Sequence, residues 1–507
     1  MSKAFFDIET DGLEATRVHC ICAMLDNDEP TVYNFIGGEA NGLFRKWLAS
    51  ENVDTLVGHN IINFDVPILR RITGMDWSFN LWDTLVLSRL YNPSLDGGHS
   101  LRSWGERLGD YKDDYQGGWE EYSYDMLTYC QQDVRVTKSL YNHFVKHLTF
   151  SDAVKLEHTT AEIIRKQTDN GMILNEERAY ELLAEMKEKV LDIEDEVHER
   201  FKPLPVWIDL PHPKDKCKNK DGSISKRYQA QLDKGAHFED DKWGYYEYPE
   251  FNLGSRLQIG EQLVHRGWKP SVLTPTGKPT INEDVLENVP IPEAKLIAKY
   301  LSYDKIRSFL KGWIDVYNED TQALHGRVRT LGTVTHRMSS NSPNMQQVPS
   351  SRKPFGTEIR ALFKARDGKV IVGADLSGLE LRCLAHYMGD KDYTNELLNG
   401  DIHVKNQMAA GLPDRDAAKT FIYAFLYGCG PELTGAQLGK GVEEGRRVQE
   451  SFLKNIPALG ALKSRAYKAA TRGYVKSIDG RKIYTRKPMS ALNFLLQSAG
   501  SIIAKRS

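Results

Sequence analysis

The chain has 507 residues, of which 40% are hydrophobic and 27% charged, enough to bury several cores without disulfide or metal staples. Lys and Arg number 67 against 69 Asp and Glu, a net charge of -2, so the whole-chain charge announces no nucleic acid and any such contact must be local. No apolar run approaches the roughly 18 residues a membrane span needs, and Asp7 and Glu9 stand where a signal peptide needs apolar sequence, so a cytoplasmic protein is expected.

Residues 1–150 mix short β-type runs, at Ala4 to Ile8, Val18 to Leu25 and Thr55 to Val57, with helical stretches, which predicts an α/β domain. Residues 151–200 read as helix, with Glu185, Lys187, Glu188 and Lys189 on a solvated face. From 201 to 250 periodicity is lost among Pro, Asp, Lys, Gly and aromatic residues, predicting an inserted loop or subdomain. Its Lys214, Lys216, Lys218, Lys220, Lys226 and Arg227 suit phosphate contacts or a merely solvated surface. Residues 252–320 return to helix, and a Ser/Asn/Pro-rich segment, Ser339 to Ser351, precedes a strand-like run, Val370-Ile371-Val372-Gly373-Ala374-Asp375. From Asp401 to Ser507 the pattern is mainly helical. The cysteines, Cys20, Cys22, Cys130, Cys217, Cys383 and Cys429, contain no CxxC pair; reduced, mostly buried thiols are expected, with no zinc site and no disulfide framework.

Residues two apart on a strand share a face, so Asp7 and Glu9 can share one metal site. Asp65 follows an Asn-Ile-Ile-Asn-Phe run, and Tyr129 and Asp133 lie four apart on one helix face. Asp83, His59 and His99 read as structural. Farther on, Asp375 would end its strand, where rigid backbone can fix a metal ligand. Arg415, Lys419, Tyr423 and Tyr427 recur every four residues and wind slowly along one helix, two cations followed by two rings. That order suits a triphosphate followed by a sugar and base. Gly435 to Gly441 has the wrong glycine spacing for a P-loop and no Ser or Thr after Lys440.

The segments around Asp7 and Glu9, Asn60 to Asp65 and Tyr129 to Asp133 resemble the 3′-to-5′ proofreading exonuclease domain built on four acids and a tyrosine, of ribonuclease H-like fold. The resemblance implies that Asp7, Glu9, Asp65 and Asp133 hold two Mg2+ ions and that Tyr129 positions the attacking water. Asp375 to Arg382 and Arg415 to Gly428 resemble the first two polymerase motifs of family A (DNA polymerase I-like) DNA polymerases, in the bacteriophage replicative branch. Thr335 to Ser340 and Leu492 to Gly500 extend the likeness.

Carried over, Asp375 binds both catalytic Mg2+ ions, Arg415 and Lys419 grip the incoming triphosphate, and His403 lies near the same phosphates. Glu380 with Tyr423 would form the gate against a ribose 2′-hydroxyl, Tyr427 would stack near the templating base, and Arg337, Asn493 and Gln497 would touch the minor groove of primer-template DNA. Tyrosine at position 423 implies acceptance of dideoxynucleotides. The implied right-hand architecture is an exonuclease domain over 1–150, a thumb over 151–330 with the insertion at about 201–250, a partial palm over 331–390 and helical fingers over 391–507. The family's third motif, a His-Asp-Glu turn bearing the second metal aspartate, is not reached by Ser507, and neither Asp401 nor Asp479 stands in for it. A second polypeptide completing the palm is therefore expected, with a truncated gene or incomplete record as the rivals. The insertion lies where phage relatives recruit a processivity partner. The competing function is a 3′-to-5′ exonuclease whose polymerase remnant merely holds DNA.

Overall fold

The computed structural model describes residues 2–27, 31–74, 77–110, 115–149, 151–212, 216–270, 272–274 and 276–507; Lys214 of the lysine-rich run lies outside them. The amino-terminal segment builds β1 (Ser2–Thr10), β2 (Val18–Leu25), β3 (Tyr33–Ile36), α1 (Ala40–Ser50), β4 (Val53–Gly58), α2 (Asp65–Thr73), β5 (Asn80–Asp83), α3 (Thr84–Tyr91), α4 (Leu101–Leu108), α5 (Tyr124–His147) and α6 (Ser151–Asn170). The strands form one sheet in the order β3-β2-β1-β4-β5, with β1 antiparallel to β2 and parallel to β4.

Alternation along β1 sends Phe6 to the ring of Phe44 on α1 and Phe5 to the ring of Tyr141 on α5. Asp7 and Glu9 share the Phe5 face and therefore lie on the α5 side of the sheet. Phe5, Phe6, Phe44 and Phe144 are buried, each worth about 1.5–3 kcal/mol of transfer free energy. Gly58 ends β4 where a Cβ would meet Ile61 Cγ2 at 2.0 Å and the Phe6 carbonyl oxygen at 3.0 Å, so no side chain fits there.

The helix expected across 151–200 is interrupted. Gly171, at φ +64, closes α6 in the left-handed conformation, and a strand, Met172–Leu174, precedes the helix Glu176–Arg200. Charged periodicity on both sides hides a break that one glycine makes.

Two compact units emerge: 1–171 with 325–347 and 370–507, and 172–324 with 348–369. In the second, the helices Glu176–Arg200 and Pro292–Ile314 pack around Val190, Ile193, Val197, Ile297 and Leu301. The insertion is a folded subdomain rather than a loop: Val206–Asp209, Lys242–Glu247 and His237–Glu239 form an antiparallel sheet in that order, and Ala236, Trp243 and Tyr245 make its small core.

The carboxy-terminal part of the first unit is helical around Leu384, Phe421, Ile422, Phe452, Leu459 and Leu496. A buried charge cluster ties its segments together. Glu157 on α6 pairs with Arg481 at 2.6 Å and with Lys505 at 2.7 Å, while Asp479 takes the other side of Arg481 at 2.7 Å. Lys505 Nζ also donates to the carbonyls of Thr330 and His336, at 2.8 and 2.9 Å.

One expected element is absent. Val370 to Asp375 is unpaired and exposed, Val370 by 81% and Val372 by 85%. β-propensity alone does not make a strand, which needs a hydrogen-bonded neighbour. Among the described residues no helix is long and apolar enough to cross a membrane.

Candidate active sites

At the carboxyl end of β1, Asp7, Glu9 and Cys130 bring one ligand atom each within 4.8 Å of one another. Cys130 comes from α5, and burial holds its thiol well above the ordinary value. The thiol donates to the Asp7 carbonyl at 3.4 Å and to Asp7 Oδ2 at 3.7 Å. Asp65 opens α2, and its buried carboxyl accepts from the Ile8 backbone N–H. Burial pushes Asp65 up to about 7, with the charges of Asp83 and Asp133 adding to the effect. Asp133 is buried on α5, one turn from Cys130. The four acids expected to act together are thus drawn to one place by three elements: β1, α2 and α5. Tyr129, four residues before Asp133, is half-buried with its ring 5.8 Å from Tyr115 and 6.4 Å from Trp119.

Asp83 has the structural part read for it. Its carboxylate accepts from the backbone of Asn60 (2.9 Å), Ile62 (3.2 Å) and Leu85 (2.9 Å), so it fixes the turn that presents Asp65 and caps α3. His59 bonds Thr84 at 2.9 Å and His99 bonds Ser88 at 2.7 Å, as expected of structural histidines.

Beside this centre lies a cleft of about 760 Å3 bordered by Asn60 and Phe64 and lined by Arg70, Arg89, Arg165 and Arg329 together with the acids Glu14, Asp83 and Asp169, the last paired with Arg165. Burial and the nearby Arg329 charge lower the pKa of Arg89, the mark of cations gathered in one place. Sequence reasoning misses both this arginine cleft and Cys130. The arginines are scattered in sequence and carry no motif, whereas Cys130 sits between Tyr129 and Asp133 and a helical-wheel reading could have placed it on the acids' side.

The second group surrounds the helix Arg415–Leu426, which Asp414 caps by accepting from Ala417 N at 2.8 Å. Ala418, Phe421, Ile422 and Phe425 are buried, leaving Arg415 and Lys419 exposed and Tyr423 half-buried along the other face. Tyr427 is the C-cap residue. Asp401 anchors Arg415 at 2.6 Å and accepts from His403 N and Val404 N to start the helix Ile402–Ala410. His403 lies 6.4 Å from the Tyr423 ring, and burial with the Arg415 and Lys419 charges lowers its pKa. Glu380 accepts from the Tyr427 hydroxyl at 3.5 Å, so its hydrogen bond is to Tyr427 rather than to Tyr423; burial and the Glu380 charge raise the pKa of Tyr423 as well. Gln497 accepts from Thr335 Oγ1 at 3.2 Å and donates to Asn493 at 2.8 Å. Exposed Arg337 acts electrostatically on Tyr427. Asp375 stands apart from these contacts on its exposed, unpaired segment. Asp401 and Asp479, set aside as metal ligands, are held in ion pairs with Arg415 and Arg481.

Acids gathered near the end of the central strand β1, and a separate helix presenting cations and tyrosines, are the residue types that phosphodiester and nucleotide chemistry can use. A sequence model of DNA polymerase family A matches residues 223–506, and the chain belongs to that family. It is 32% identical to the DNA-directed DNA polymerase of Enterobacteria phage T3, across 98% of this chain and 88% of that protein. With the DNA-directed DNA polymerase of Escherichia phage T7 the identity is 33%, across 89% of this chain and 81% of that protein. Its fold is similar to the solved POL domain of Pol1 from M. smegmatis in complex with DNA primer-template and dNTP, at a TM-score of 0.72 and 16% identity, covering 99% of this chain and 84% of that one.

Proposed function

We propose that this family A chain is a phage DNA-directed DNA polymerase that also removes nucleotides from the 3′ end of its product. The observation that carries the proofreading half is the convergence of Asp7, Glu9, Asp65 and Asp133 around the end of β1. Their oxygen-rich donor set fits hard divalent cations such as Mg2+, which when bound supply the positive charge that favours attack on a phosphodiester and departure of its oxygen. Tyr129 orients the attacking water, and the cleft arginines hold the phosphates of the departing strand.

In synthesis, Arg415 and Lys419 bind the triphosphate, with Asp401 keeping Arg415 in place. His403 adds a polar contact to the same phosphates, and Tyr423 with Glu380 restricts the sugar. Tyr427 faces the templating base, and Arg337, Asn493 and Gln497 contact the primer-template minor groove. Asp375 is the metal-binding carboxylate of this centre. The exposed, unpaired Val370 to Val372 supports a second polypeptide in the proposal: it lays a strand along this segment and brings a second carboxylate to Asp375. The folded insertion at 201–250 is the proposed seat of a processivity partner.

A labelled primer-template with Mg2+, with and without the four deoxynucleotides, tests both halves. Shortening without nucleotides, abolished by Asp7→Ala, is expected; its absence in the parent chain overturns the exonuclease reading. Extension with nucleotides, lost in Lys419→Ala, supports synthesis by the chain as it stands. Shortening without extension favours the nuclease-only reading, for which the isolated Asp375 speaks, unless adding the second polypeptide restores synthesis.

A further inference from the structure

We propose that Asp7, Glu9 and Cys130 form a mixed oxygen and sulfur site for a thiophilic divalent cation of the Zn2+ class. The inference rests on the reading of Asp7 and Glu9 as metal ligands and adds a ligand that changes which metal the site selects. The three donor atoms lie within 4.8 Å of one another, and Cys130 Sγ is 3.7 Å from Asp7 Oδ2. One tetrahedral Zn2+, with bonds of about 2.3 Å to sulfur and about 2.0 Å to oxygen, holds its sulfur and oxygen roughly 3.5 Å apart. Little movement is needed to close that geometry.

Both supports are rigid. β1 is hydrogen-bonded to strands on each side, and Cys130 lies inside α5, a helix of 24 residues. Cys22 and Cys20 pair across the sheet with Asp7 and Glu9, and their thiols contact that of Cys130 from the neighbouring strand while lying outside the group of three donor atoms. Two carboxylates alone suit a hard cation, whereas a sulfur among three ligands favours Zn2+ or Cd2+ over Mg2+. Ligation exchanges the Cys130 thiol proton for the cation, and the proton passes to solvent. A cation so held occupies the position that Asp7 and Glu9 offer to Mg2+, which makes Zn2+ a competitor of Mg2+ at this centre.

Cd2+ is the probe, titrated into the reduced full-length chain and followed by thiolate-to-metal charge-transfer absorption and by the melting temperature. We expect a band that saturates at one equivalent and a rise in melting temperature. Both are lost in Cys130→Ser and in the Asp7→Ala/Glu9→Ala double variant, and both are kept in Cys20→Ser, Cys22→Ser and Cys429→Ser. A stabilising shift with Mn2+ in Cys130→Ser shows that this variant is folded; if it is not, Cys130→Ala takes its place. No band in the parent chain overturns the proposal. So does a band that survives loss of Cys130, or one that needs Cys20 and Cys22 but not the two acids. A chain that binds Cd2+ in this way but fails to shorten DNA with Mg2+ refutes the exonuclease reading and leaves the metal site standing.

Discussion

Removing the Glu157 carboxylate leaves Arg481 and Lys505 together in the interior, with Asp479 still paired to Arg481. An uncompensated buried charge costs about 3–5 kcal/mol, so Glu157→Gln is expected to lower the denaturant midpoint by a corresponding amount. His336 is part of the same neighbourhood: it is fully buried, and among the described residues neither ring nitrogen has a hydrogen-bond partner. Burial, with the Arg481 and Lys505 charges, holds its pKa well below the ordinary 6.5. The unfolded chain therefore takes up a proton that the folded chain refuses. The contribution is complete above 6.5 and is lost as the pH falls toward the folded value. Melting temperature should drop with pH in that window, and His336→Asn should flatten the drop. Glu157 belongs to no motif, and His336, though it lies in the Thr335 to Ser340 segment, carries no spacing signal of its own; their importance comes from partners more than a hundred positions away in sequence, Glu157 to Arg481 above all.

The helix Arg415–Leu426 presents its cations and Tyr423 because its opposite face is buried. Phe421 is 2% exposed, and Phe421→Ala is expected to cost about 3–5 kcal/mol, seen as a lower melting temperature. Tyr423→Phe removes only a hydroxyl and should leave stability nearly unchanged. On the proposed function, it should sharpen rejection of dideoxynucleotides in a primer-extension assay. The four-residue spacing makes this helix legible, since the repeat and the buried stripe both follow from helical geometry. Val370 to Asp375 reads as a strand on composition, but strand formation depends on a neighbour that composition does not specify. Likewise, Gly171 splits one expected helix into two because a single left-handed residue outweighs the propensity of its surroundings.

With a net charge of -2, the molecule as a whole offers no general attraction to DNA, and binding must draw on local cations such as those of the arginine cleft. Binding of a primer-template with an unpaired 3′ tail should weaken steeply with salt. Replacing Arg89 and Arg329 by alanine should reduce the slope of log affinity against log salt by about 1.4, at about 0.7 for each single-strand phosphate that is no longer neutralised. An unchanged slope would show that the strand does not run through the cleft. At this scale the sequence conveys an amino-terminal α/β region and a helical carboxy-terminal region. It does not convey that 1–171, 325–347 and 370–507 belong to one compact unit.

What the sequence determined by itself is what local rules govern: the same-face placement of Asp7 and Glu9, the helix carrying Tyr129 and Asp133, and the row from Arg415 to Tyr423. Periods of two and 3.6 residues follow from the backbone, so spacing suffices to read them. Only the tertiary structure decided that α2 delivers Asp65 to β1, that Cys130 joins the first two acids, and that Glu157, Arg481 and Lys505 share a buried interior. Those contacts depend on which faces of distant segments meet, and burial then strengthens the charge interactions among groups that the sequence keeps far apart.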